Sequence, residues 1–185
     1  MTATARKLAT YEDLFDLPEN LVGEIIHGQL ITHPRPTPKH VVASSAIGDE
    51  LVGPFQKGRG GPGGWWILDE PELHLGPHIL VPDLAGWRRE RLPAMPDTAF
   101  FSLPPDWVCE VLSPGTARVD RADKMPIYAA QGISFLWLID PAPHTLEVFV
   151  LRDGRWLLEH VYQQDEEVCA APFEAIAFSL GTLWA

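Results

Sequence analysis

Glu110 stands in the middle of an apolar run, Trp107-Val108-Cys109-Glu110-Val111-Leu112, closed by Ser113-Pro114-Gly115. A short run rich in β-branched and aromatic residues and bounded by breakers predicts a strand covered on both faces. A carboxylate in such a strand must be protonated, paired or bound to a cation, because an isolated buried charge costs more than one side chain's packing returns. A second acid, Asp83, lies 27 residues upstream in Val81-Pro82-Asp83-Leu84, again among apolar neighbours. Beyond the turn, Asp120, Asp123 and Lys124 open a segment expected to be helical through Gln131 and to stop at Gly132. Strand, turn and helix can thus bring a carboxylate and an ammonium together. A third acid, Glu24, shares one face of a strand with Val22 and Ile26, where pairing with an arginine across the sheet competes with a chemical role.

The elements that must position these groups follow in order. Thr10, with an acid three residues on, predicts the N-cap of a short helix ending before Pro18. Residues 21–32 form two alternating runs around His27-Gly28, a two-residue hairpin signal. Thr37, with Pro38 behind it, starts a helix expected to reach Gln56. The Gly-rich stretch 57–64 lacks the pattern of a phosphate loop and precedes a strand. Strands are expected over Trp65 to Leu68, Glu72 to Leu75 and Ile79 to Trp87, the last carrying Asp83 into the sheet. After the central strand and its helix come a strand over Ser134 to Asp140 and a second hairpin, Thr145 to Leu151 with Arg155 to Tyr162. The tail carries Phe173, Ile176, Phe178, Leu180, Leu183 and Trp184, a set that needs covering by its own core or by a second copy, so a homodimer is expected.

Composition bounds the answer. A chain of 185 residues with 46% hydrophobic residues and seven Trp makes one domain with a real core. No apolar run approaches the roughly 20 residues needed to span a bilayer, and Met1 to Lys7 lacks the apolar stretch of a leader, so a soluble, cytoplasmic protein is expected. Cys109 and Cys169 lack zinc spacing and read as two buried small hydrophobes. His74 and His78 are separated by Gly76-Pro77, which prevents a shared helical face, and no metal is assigned to them. A net charge of −11 argues against broad, tight nucleic-acid binding. A local basic rim stays open, with Arg88, Arg89 and Arg91 after Asp83, and Arg118, Arg121 and Lys124 after Glu110.

Six strings in order, Thr10-Tyr11-Glu12-Asp13-Leu14, the stretch 22–30, Val81-Pro82-Asp83-Leu84, the stretch 105–116, Asp120 to Tyr128 and Phe135 to Pro141, resemble the Uma-two (Uma2) family, described as restriction endonucleases of the PD-(D/E)XK superfamily. The resemblance covers almost the whole chain. It implies an α/β (α+β) fold, a restriction-endonuclease-like mixed central sheet flanked by helices with an N-terminal hairpin, in a single domain over residues 1–185. It implies a metal-dependent DNA endonuclease with Asp83, Glu110, Lys124 and Glu24 as catalytic residues. Asp83, Glu110 and a backbone carbonyl near Val111 would hold Mg²⁺ or Mn²⁺, hard ions that prefer oxygen. Two ionised carboxylates about 4 Å apart repel by roughly 1 to 4 kcal/mol, which a divalent cation relieves. The chain departs from the pattern at Leu112, which stands where the superfamily has its lysine, so that Lys124 serves only if the turn at Ser113 to Thr116 folds the next segment back. Leu112 and the acidic charge favour the alternative, a non-catalytic nuclease-like binding or assembly module. A glycosidase using the same two acids would need a sugar cleft lined by aromatics such as Trp87 and Trp107.

Overall fold

The computed structural model describes residues 8–184; the expectation that the first seven residues carry no leader falls outside them. A one-turn helix α1 (Glu12–Phe15) opens the described chain, with the Thr10 amide donating to Asp13 Oδ2 at 2.7 Å. Strands β1 (Leu21–Ile26) and β2 (Gln29–Pro34) pair as the expected hairpin, and both turn residues, His27 and Gly28, take positive φ, as a tight turn matching strand twist requires. Helix α2 (Pro38–Leu51) continues through a π-wound turn, Val52–Gln56. Four strands follow: β3 (Trp65–Asp69), β4 (Leu73–Leu75), β5 (His78–Leu80) and β6 (Leu84–Arg88). The central strand is β7 (Trp107–Val111), buried along its whole length.

The connection out of β7 is α3 (Ala117–Val119), a π-wound turn Asp120–Lys124, and α4 (Met125–Ala130), which lead into β8 (Phe135–Asp140). Pro126 in a regular helix would remove a hydrogen bond and clash with the carbonyl of Ala122. The chain avoids this by winding wider before the proline, which then stands in the first turn of α4. The helical stretch ends as expected, with Gly132 at φ +73°. A long hairpin, β9 (Thr145–Arg152) and β10 (Arg155–Gln163), and a short pair, β11 (Glu167–Val168) with β12 (Phe178–Ser179), complete the chain.

The mixed central sheet runs β10-β9-β8-β7-β6-β3, with β7 and β8 parallel and the other pairs antiparallel. One expectation is corrected. Residues 79–87 are not one strand: the N-terminal hairpin joins β5 and β4 in a separate four-stranded sheet, β2-β1-β5-β4, and the chain crosses to the central sheet at Val81-Pro82-Asp83. Pro82 has no N–H to give a ladder, which suits it to this crossing. Asp83 therefore sits at a junction between two sheets rather than inside a strand.

Alternation along β7 divides its neighbours. Trp107, Cys109 and Val111 face α2 and the C-terminal tail in one core, whereas Val108 and Leu112 join Ile127 and Tyr128 in the other. Phe173, Phe178, Leu180 and Leu183 all lie in the first core, so the tail is covered by its own domain and no longer motivates a second copy. Trp87 and Trp107 are fully buried, which removes the aromatic cleft a glycosidase would need. Cys109 is buried but Cys169 is exposed, because its neighbours Val168 and Ala170 take the inward positions.

Gly86 lies where β6 passes under the aromatic core. A Cβ there would stand 3.1 Å from Trp107 Cε3 and 3.2 Å from Ile67 Cδ1. Gly86→Ala is expected to cost about 1–3 kcal/mol through overpacking, read as a lower midpoint in urea with an unchanged slope.

Candidate active site

Glu110 points from β7 into the second core at 2% exposure, and three groups reach it. The Tyr128 hydroxyl donates to Oε1 at 2.6 Å, and the Lys124 ammonium stands 3.3 and 3.4 Å from its two oxygens. Lys124 also pairs with Glu24 Oε1 at 3.0 Å and Asp120 Oδ1 at 3.3 Å. Three carboxylates thus surround one buried ammonium. Asp120 and Lys124, four residues apart in the π-wound turn, both lie inward, next to the face of β7 that carries Glu110.

Asp83 adjoins this cluster. Its Oδ2 accepts the Val111 amide at 2.7 Å and its Oδ1 lies 2.6 Å from His40 Nε2. The register explains the meeting. Leu84 pairs with Cys109 across the antiparallel β6–β7 ladder, so one step further brings Asp83 level with Glu110. Glu24 arrives from β1, where its Oε1 also accepts the Val81 amide at 2.7 Å and its Oε2 lies 3.6 Å from His33 Nε2. The expected alternative for Glu24, an arginine across the sheet, is replaced by Lys124 and His33.

The electrostatics follow from burial and the excess of acids. Burial pushes the Glu110 carboxyl well above the usual range, with help from Asp120, Asp83 and Glu24 and against the pull of Lys124. Asp120 is raised for the same first reason. Burial works against the Lys124 charge, but Glu110, Glu24 and Asp120 outweigh it and raise its pKa well above that of a free lysine. Glu24 goes the other way: burial disfavours its charge, yet Lys124, His33 and the Val81 amide hold its pKa down.

A cavity of about 340 Å³ opens between α2, β2 and the turn after β7, and Asp83, Glu110, Lys124, His40 and Arg35 line it. A second of about 460 Å³ along α2 shares Asp83 and His40. Sequence reasoning missed His40, His33 and Arg35. The arginines of the rim that the sequence left open have partners of their own: Arg88 and Arg89 lie over Trp65 and Trp66, Arg91 pairs with Asp106, Arg118 with Asp123 and Arg121 with Glu147. His74 pairs with Glu72 and stacks on Phe100.

Among the described residues, no three His, Cys, Asp or Glu side chains form a metal cage. An ion held by Asp83 and Glu110 would therefore have two side-chain ligands, with carbonyls, water and substrate oxygens to complete its shell, a set that suits Mg²⁺. Such an ion would share the Glu110 oxygens with the Tyr128 hydroxyl and the Lys124 ammonium, which already meet them.

The family profile of Uma2, described as "Putative restriction endonuclease", matches residues 9–181. Among solved structures the chain is similar to a crystal structure titled as a putative nuclease belonging to DUF820 from Anabaena variabilis. The two share 24% identity and a TM-score of 0.73, with 95% of this chain and 97% of that one covered, a likeness in fold. No curated protein matches the chain. No helix among the described residues is long and apolar enough to cross a membrane.

Proposed function

The chain belongs to the Uma2 family of putative restriction endonucleases, and from that premise we propose that it is a metal-dependent endonuclease of the PD-(D/E)XK type acting on DNA. The observation that carries the reading is the Lys124 ammonium 3.3 Å from Glu110. A lysine delivered from the helix stands in for the one that Leu112 replaces, and Leu112 itself is buried in the core beside Ile127 and Tyr128.

In this reading Asp83, Glu110 and a backbone carbonyl near Val111 would hold Mg²⁺ or Mn²⁺, which would supply polarisation of the scissile phosphate and a lowered pKa for the attacking water. Lys124 keeps its proton, so it acts as a fixed positive charge for the phosphate oxygens as they gain charge, not as a base. Glu24 and Asp120 hold that ammonium in place. The Tyr128 hydroxyl fixes the rotamer of Glu110. Arg35, whose guanidinium also donates to the Glu19 carbonyl, and His33 line the cavity and give a locally basic approach in an acidic protein, which favours weak or local DNA contact whose affinity falls with salt.

The test is calorimetric titration of Mn²⁺ into the parent protein and Asp83→Asn. Binding by the parent that the substitution removes is the expected result. Absence of ion binding by the parent would sink the nuclease reading and favour the non-catalytic module.

A further inference from the structure

His40 has no part in the roles given above, yet it is the side chain that meets Asp83 at the shortest distance. It lies in the first turn of α2 behind Thr37-Pro38 and is 8% exposed. Its Nε2 is 2.6 Å from Asp83 Oδ1, while its buried Nδ1 makes no hydrogen bond. An ionised aspartate only accepts, so the ring carries a proton on Nε2 to make this bond.

The other side of the Asp83 carboxylate accepts the Val111 amide. Asp83 is thus clamped between the start of α2 and the end of β7, beside Glu110. The bond to Asp83 supports the fold, but the second ring nitrogen offsets part of that gain. A buried ring nitrogen without a partner is a cost to the fold, which an apolar side chain of similar size would avoid. The ring also forms wall shared by the two cavities that meet at Asp83.

We infer that His40 is a positioning residue: its Nε2–H holds Asp83 Oδ1 so that the carboxylate faces an ion shared with Glu110. The inference rests on the nuclease reading. Donors that orient a metal-binding carboxylate typically set about 10- to 100-fold of metal affinity.

Mn²⁺ titration followed by electron paramagnetic resonance, together with urea unfolding of the metal-free protein, tests it on the parent, His40→Ala and His40→Gln. The expected result is Mn²⁺ affinity lowered about 10- to 100-fold in His40→Ala, with no matching loss of metal-free stability. His40→Gln, which keeps an N–H donor, recovers part of the affinity. Unchanged affinity in both variants overturns the inference while leaving the nuclease reading intact. If His40→Ala does not fold, His40→Gln decides by itself: affinity between that of the parent and that of Asp83→Asn supports the inference, and loss equal to Asp83→Asn overturns it. No Mn²⁺ uptake by the parent overturns both readings together.

Discussion

Lys124→Met is expected to destabilise the protein by about 3–5 kcal/mol at neutral pH, the usual cost of removing one partner from a buried ion pair. Lys124 is 3% exposed and contacts Glu24, Glu110 and Asp120 at 3.0 to 3.3 Å. Without it, three buried acids lose the one ammonium that pairs with them among the described residues. The pH dependence separates this from a simple loss of packing. The folded-state pKa of Glu24 is lowered, so its contribution is present above the unfolded value of about 4.3 and is lost as pH falls through the folded value. In Lys124→Met that contribution disappears, and the deficit is largest at neutral pH and shrinks as acid neutralises the carboxylates. Adding Glu24→Gln should restore part of the loss, because the pair then leaves together. Urea unfolding of the four proteins of this cycle reads the effect, and a loss below about 1 kcal/mol would make Lys124 an ordinary solvated lysine.

Glu110→Gln is expected to do the opposite in the metal-free protein while removing divalent-ion binding. The carboxyl pKa is raised in the fold, so its contribution is complete below the ordinary carboxylate range and is lost as pH rises through the folded value. The variant is free of that loss, and its advantage over the parent grows with pH from the ordinary carboxylate range upward. Shape is kept. A glutamine oxygen can still accept from Tyr128 and face Lys124, as Oε1 does now. Ion affinity should fall by more than the about 100-fold that losing an outer partner costs, because a charged ligand is gone. A large loss of metal-free stability instead would make Glu110 a member of a structural ion pair.

Much of this site was legible in the sequence, for identifiable reasons. Glu110 announced itself because an acid in a fully apolar run has few allowed explanations, and Lys124 because the breaker after β7 turns the next segment back. Glu24 was legible through hairpin alternation. The break at Asp83 was not: Val81, Leu84 and Ala85 are as apolar as a strand interior, and only Pro82 hints that the ladder changes there. His40 was missed because a histidine in the first turn of a helix reads as solvated, and its contact with Asp83 spans 43 positions. The Thr37-Pro38 start, which fixes the first turn, was the one signal that could have placed it. The arginines of the rim that the sequence left open have other partners, because proximity in sequence to an acid does not decide which group a guanidinium meets. Arg88 and Arg89 lie at the end away from Asp83.

The most direct test of the helix-borne lysine is nicking of supercoiled DNA in Mn²⁺ by the parent, by Asp83→Asn and by the charge-balanced pair Glu24→Gln with Lys124→Met. The account predicts nicking by the parent and none by Asp83→Asn. It predicts a pair variant that still binds Mn²⁺ but cleaves about 10²- to 10³-fold more slowly, the usual loss when one stabilising charge or donor is removed. A pair variant that cleaves at the parental rate, or a parent that binds Mn²⁺ and never nicks, would contradict it.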